Sequence, residues 1–228
     1  MQGKVVLVTG ANGGLGTTVT QAFLDSGATV IGTSREIKQS EFPNGNFMAI
    51  PADIASTLGA KALIDQITQK FGKLDVLAHT VGGFAGGTSV ADTEDMAFQH
   101  MLDLNLNATF FLLRAAIPLL RKSNGGRIIA IGSRAAEEPG PSVGAYSASK
   151  AAMVSLIKTV AIENRDANMT ANVILPGTID TLANRKAMPN ADFTKWVHPA
   201  SIASLMLWLA SEAARDVNGA AIPVYGSA

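Results

Sequence analysis

The sequence predicts an α/β fold in three layers, a doubly wound, mostly parallel sheet with helices on both faces. Three observations carry that expectation. Short β-branched apolar runs alternate with longer helical patterns from one end of the chain to the other, as repeated βαβ units require. The runs are apolar throughout, as in Val5–Val8, which suits strands buried on both faces. The first run passes through a glycine-rich turn straight into the first helical pattern, a junction at which α/β folds bind phosphate.

In chain order, Val5–Val8 is the first strand and Leu15–Leu24 the first helix, stopped by Gly27. Ala28–Thr33 and Phe47–Ile50 follow as strands, then a helix over Thr57–Phe71 and a fourth strand over Val76–Val81. One long helix is expected over Glu94–Arg121, a strand over Arg127–Ile131 and a helix over Ala145–Asn164. Ala171–Leu175 is the sixth strand, Pro199–Ala213 the last helix and Ala220–Val224 the last strand. Gly82–Gly87 and Ala183–Asp192 read as irregular loops at the mouth of a site. No repeat, low-complexity tract or linker divides residues 1–228, so one domain is expected.

Composition narrows the function classes. The 228 residues can bury a large core, and 47% hydrophobic with 16% charged residues suits a globular enzyme. Lys plus Arg is 18 and Asp plus Glu is 18, which removes the electrostatic motive for a nucleic-acid or anionic-membrane partner. The chain has 0 cysteines, which excludes disulfides, thiolate metal sites and a cysteine nucleophile. Its longest apolar stretch, Ala108–Leu120, is broken by Arg114 and Pro118 and is too short for a bilayer. Met1-Gln2-Gly3-Lys4 leads directly into the first strand without a signal-peptide layout, so a soluble, cytoplasmic protein acting on a small molecule is expected.

The glycine turn reads Thr9-Gly10-Ala11-Asn12-Gly13-Gly14-Leu15-Gly16. Glycines allow the tight turn and let backbone approach a pyrophosphate, while the helix N-terminus offers N–H groups and a positive dipole end. The expected ligand is a dinucleotide in a Rossmann-type fold, held by Gly10, Asn12, Gly14, Leu15 and Gly16. At the end of the second strand an acidic residue would bind the ribose hydroxyls of NAD and repel a 2′-phosphate. Ser34 stands there, followed by Arg35, whose guanidinium can pair with that phosphate. NADP(H) is therefore favoured over NAD(H), although Glu36 muddies the local charge.

Tyr146 and Lys150 stand four residues apart, on one face of a helix. Ser133 lies thirteen residues before Tyr146, just past a strand, and Asn105 lies within the long helix upstream. A carbonyl reduced by hydride needs a proton donor at its oxygen, and a phenol serves if its pKa is brought down from about 10 toward neutrality. A cation at Lys150, with the positive charge of an oxidised nicotinamide, favours the phenolate in this way.

The Asn105-Ser133-Tyr146-Lys150 set, in this order and on these elements, resembles the catalytic tetrad of the short-chain dehydrogenase/reductase family. The glycine turn can be parsed as Gly10, Gly14, Gly16 or as Gly10, Gly13, Gly16; the first is the spacing of the family's short single-domain branch, which suits this length. The resemblance implies that Ser133 holds the substrate oxygen, that Lys150 also hydrogen-bonds the nicotinamide ribose, and that Asn105 keeps a water in a proton relay. It implies cofactor contacts at Asp53 and Ile54, where Asp53 reads equally as a turn residue, and at Gly82. The segment Pro176-Gly177-Thr178-Ile179-Asp180-Thr181 is similar to the family's strand-end loop, with Ile179 at the carboxamide and Thr181 at cofactor oxygens. Association into a homodimer or homotetramer through Glu94–Arg121 and Ala145–Asn164 is implied as well, and the apolar row Phe110-Phe111-Leu112-Leu113 exceeds what one buried stripe needs.

The chain departs from the family where most members have Asn-Asn-Ala-Gly and this sequence has His79-Thr80-Val81-Gly82. His79 is expected to be a hydrogen-bonded strand residue, and with His100 and His198 far from it in sequence no metal site is expected. Val81–Gly87 and Asp180–Pro189, the latter continued through Ala191, Asp192 and Phe193 to Trp196, resemble segments of dihydropteridine reductases. Those reductases lack a serine at the place of Ser133 and usually carry an acid at that of Ser34. The leading expectation is a carbonyl reductase or alcohol dehydrogenase; the alternatives are a quinonoid dihydropterin reductase and a cofactor-binding sensor without turnover.

Overall fold

The computed structural model describes Met1–Ser227. Seven parallel strands form one sheet in the order β3-β2-β1-β4-β5-β6-β7: β1 Val5–Thr9, β2 Thr29–Thr33, β3 Phe47–Ala49, β4 Val76–His79, β5 Arg127–Ile131, β6 Thr170–Pro176 and β7 Ala221–Val224. The helices are α1 Gly16–Asp25, α2 Thr57–Phe71, α3 Asp95–Leu102, α4 Ala108–Arg121, α5 Gly144–Glu163, α6 Leu182–Ala187 and α7 Pro199–Leu209.

Strand alternation assigns the two faces. Leu7, Leu77 and Ile128 point into a core closed by Leu63 of α2, Leu112 of α4 and Ile157 of α5. Val6, Val8 and Val76 point the other way, against Phe23 of α1 and Met206 of α7. Burial on both faces is why the runs carry no polar alternation. The strand order reverses between β1 and β4, so a crevice opens beyond their C-terminal ends, the place where such sheets bind ligands. Among the described residues no helix is long and apolar enough to cross a membrane.

Three sequence expectations need correction. The long helix expected over Glu94–Arg121 runs without a gap from Asp95 to Arg121, but Asp103–Asn107 within it form a π-helical turn between the stretches α3 and α4. The wider turn leaves the apolar pattern running across it, so periodicity alone did not reveal the change of pitch. The first half of the expected loop Ala183–Asp192 belongs to α6, started by the Thr181 hydroxyl accepting the N–H of Asn184. The last helix ends at Leu209, and Glu212–Ala214 form a separate 3₁₀ turn.

Candidate active site

The cleft is built first from the turn after β1. Gly10 has φ +66°, and a Cβ on Gly16 would overlap the Gly10 carbonyl, so the turn closes only with glycine at those places. Asn12, Gly13 and Gly14 are exposed, whereas Leu15 and Gly16 are buried. Leu15 packs its side chain into the core, so only its backbone is available to a ligand. No side chain caps α1; the N–H of Thr17 is taken by the carbonyl of Gly13 at 3.0 Å, so an anion at this helix end would meet the remaining N–H groups of the turn. Thr181 stands beside Gly14, whose Cβ would come 3.0 Å from the threonine Cβ. An exposed glycine turn, an uncapped helix end and Thr181 opposite them fit a pyrophosphate.

Ser34 and the exposed Arg35 follow β2, where the Ser34 hydroxyl accepts the N–H of Glu36 at 3.3 Å. Glu41, which the sequence reading passed over, brings a carboxylate to the same end: it accepts from Lys38 N at 2.9 Å and from Asn12 Nδ2 at 3.4 Å. The Asp53 carboxylate accepts the N–H of Ala55 at 3.0 Å within a turn, and Ile54 is buried in the core. At the other end of the cleft, Gly177 lies against the carbonyl of Tyr225, and a Cβ there would come within 2.5 Å of that oxygen. Asn184 Nδ2 donates to the carbonyl of Ile179 at 2.8 Å, fixing the loop that follows Pro176.

Asn105, Ser133, Tyr146 and Lys150 converge beyond β4 and β5. Lys150 is buried, and its Nζ donates to the carbonyl of Ile131 at 3.0 Å. Gly82 lies against it: a Cβ would stand 2.8 Å from both Lys150 Nζ and Asn105 Oδ1. Asn105, in the π turn, donates from Nδ2 to Gly83 O at 3.1 Å and to Ser149 Oγ at 3.0 Å, and accepts Gly83 N–H at 3.0 Å. The Asn105 side-chain amide is thus engaged with Gly83 and Ser149, as a brace between the β4 loop and α5. Ser133 caps the short turn after β5, accepting Ala135 N–H at 3.2 Å, and its hydroxyl lies near enough to the Tyr146 phenol to act on its pKa.

The electrostatics of the protein alone differ from the sequence expectation in one respect. Burial raises the Tyr146 phenol above its ordinary 10.0, with the neighbouring Ser133 side chain opposing that rise. Burial also lowers the Lys150 ammonium to about 8.

Two further contacts escaped the sequence reading. Phe84 sets its ring edge-on to Tyr146, with centroids 4.9 Å apart, although it is 69% exposed. Arg134, next to Ser133, lies over the ring of Tyr225 at 4.8 Å. An exposed aromatic in a glycine-rich loop was the available signal for the first; the second had none. His79 is fully buried in β4 and hydrogen-bonded at both ring nitrogens.

The chain matches the short chain dehydrogenase family over residues 4–192. It is 30% identical to a 7alpha-hydroxysteroid dehydrogenase of Escherichia coli (strain K12), over 99% of this chain and 94% of that one. It is 30% identical to a rhamnolipids biosynthesis 3-oxoacyl-[acyl-carrier-protein] reductase of Pseudomonas aeruginosa, over 99% and 96%. A solved Pseudomonas aeruginosa RhlG/NADP active-site complex superposes with a TM-score of 0.91 at 28% identity, over 99% of this chain and 96% of that one. These relatives are named for work on hydroxyl and oxo groups, and the resemblance of two segments to dihydropteridine reductases gains no support from them.

Proposed function

The chain belongs to the short-chain dehydrogenase family, a nicotinamide-dependent oxidoreductase family, and we propose that it interconverts a ketone and a secondary alcohol with NADP(H), using Tyr146 as general acid and base. The observation that carries this reading is the meeting of Ser133 with Tyr146 one helical turn from the buried Lys150. Ser133 and Tyr146 present two hydroxyl donors to one substrate oxygen, the arrangement that stabilises a developing alkoxide. In reduction Tyr146 gives its proton to that oxygen; in oxidation the phenolate removes it. Lys150, as a cation, favours the phenolate through space. Asn105 holds Gly83 and Ser149 in register, keeping the loop after β4 against α5. Bound nicotinamide supplies or accepts the hydride. Backbone of the Gly10–Gly16 turn and Thr181 would hold its pyrophosphate, and Pro176–Ile179 its carboxamide end.

Preference for NADP(H) is supported by Ser34 in place of a carboxylate and by the exposed Arg35, against the opposing charge of Glu41. Self-association is supported by exposed apolar side chains on the α3–α4 and α5 segments, with Phe110 at 40% and Ile162 at 60% exposure. The test is turnover of NADPH and NADH with oxo-steroids, 3-oxoacyl thioesters and aldoses or their oxidised forms. Carbonyl-dependent oxidation of NADPH is expected, and reduction of quinonoid dihydropterin alone would overturn the reading.

A further inference from the structure

His79 links the two halves of the site through a hydrogen-bond line whose direction can be deduced. Its Nδ1 is 2.8 Å from Thr9 Oγ1 and its Nε2 is 2.9 Å from Thr109 Oγ1. Thr109 Oγ1 also lies 2.7 Å from the carbonyl of Asn105, which can only accept. A hydroxyl has one hydrogen, so Thr109 gives it to Asn105 and must receive the proton on His79 Nε2. A neutral imidazole has one N–H, so Nδ1 accepts from Thr9, whose oxygen accepts the N–H of Thr80 at 3.2 Å. The neutral form is secured by burial, helped by the Lys150 charge, which together depress the ring to about 3. The line therefore runs from Thr80 N–H through Thr9, His79 and Thr109 to Asn105 C=O, and all four side-chain-bearing members after Thr80 are at most 1% exposed.

This line connects two parts of the proposed site. Thr9 immediately precedes Gly10, where the phosphate turn begins. Asn105 grips Gly83 by both its backbone groups and Ser149 by its hydroxyl, beside Lys150. We infer that His79, held as the Nε2–H tautomer, is a positioning residue that fixes the Asn105 turn against the start of the glycine turn and so sets the Gly82–Gly83 backbone against Lys150. Its catalytic consequence rests on the oxidoreductase reading above; the hydrogen-bond line does not. Breaking the line leaves a buried donor or acceptor without a partner, a cost concentrated at the π turn rather than spread over the fold.

The test combines a spectroscopic signature with a rescue. In protein carrying 15N-labelled histidine, His79, identified by its loss in His79→Gln, should show a protonated Nε2 and an unprotonated Nδ1 throughout about pH 5 to 8. Thr109→Val, which keeps the shape and removes the hydroxyl, should speed exchange of the Gly83 amide by about tenfold or more while the Ile129 amide in β5 is unchanged. Thr109→Ser should restore Gly83 protection. With a carbonyl compound that the wild type reduces, Thr109→Val should lower kcat about tenfold and leave the NADPH Kd within about twofold. An Nδ1–H tautomer, a ring that titrates in that range, or unchanged Gly83 exchange and kcat in Thr109→Val would overturn the assignment. If Thr109→Val does not fold, the wild-type tautomer decides together with Thr109→Ser, where lost Gly83 protection would equally overturn it. A wild type that reduces no carbonyl compound would defeat the functional reading while leaving the tautomer and exchange results to stand on their own.

Discussion

Asn105 Oδ1 and Lys150 Nζ stand side by side over Gly82, each 2.8 Å from where a Cβ on that glycine would lie. Gly82 is thus required by close approach and not by backbone conformation. Gly82→Ala is expected to push Lys150 and Asn105 apart and to lower kcat by about 10²-fold, because misplacement of about 1 Å has that consequence in a preorganised site. Steady-state kinetics with a reducible ketone checks this; activity close to wild type would mean that the loop yields freely.

Stability should fall with acid in a way that depends on His79. Its folded pKa, about 3, lies below its ordinary 6.5, so the unfolded chain takes up the proton first as pH drops. The contribution is complete above 6.5 and is lost as pH falls toward 3, with a slope of up to about 1.4 kcal/mol per pH unit. Urea unfolding midpoints measured across that window should fall more steeply for wild type than for His79→Asn, which has no proton to gain.

Charge at the adenosine end should set the cofactor preference. Arg35→Ala is expected to weaken NADPH by about tenfold and leave NADH nearly unchanged, since only the former carries a phosphate for the guanidinium. Glu41→Gln should act in the opposite sense and tighten NADPH, because its carboxylate approaches Asn12 of the glycine turn. Fluorescence titration of both cofactors at moderate salt measures the two effects.

The outward row on α4 should govern assembly. Leu112 and Leu113 are buried, whereas Phe110 is 40% exposed and Phe111 partly so, with Arg114 lying over both rings. Phe110→Glu places a charge in that patch and is expected to shift an oligomer toward monomer by light scattering at micromolar concentration.

The parts of the molecule legible in the sequence are those set by local rules. Strand and helix order followed from period, and Gly10, Gly16, Tyr146 and Lys150 from spacing on a turn and a helix face. What was illegible depends on partners distant in the chain. The π turn at Asp103–Asn107 is visible only once Asn105 is seen holding Gly83 and Ser149. Glu41 gains its meaning from Asn12, 29 residues away, and the setting of His79 from Thr9 and Thr109, 70 and 30 residues away. The helix α6 was missed because its start depends on one hydroxyl, that of Thr181, in a segment otherwise rich in turn formers.

The central claim is that Tyr146 transfers the substrate proton with Ser133 beside it. Tyr146→Phe removes the acid and keeps the ring against Phe84, and the decisive measurement is its kcat and NADPH Kd beside those of wild type, with Ser133→Ala in parallel. The expected result is a loss in kcat of about 10²–10⁴-fold for Tyr146→Phe and about 10²–10³-fold for Ser133→Ala, with Kd nearly unchanged in both. A Tyr146→Phe enzyme that keeps turnover within about threefold of wild type would contradict the account.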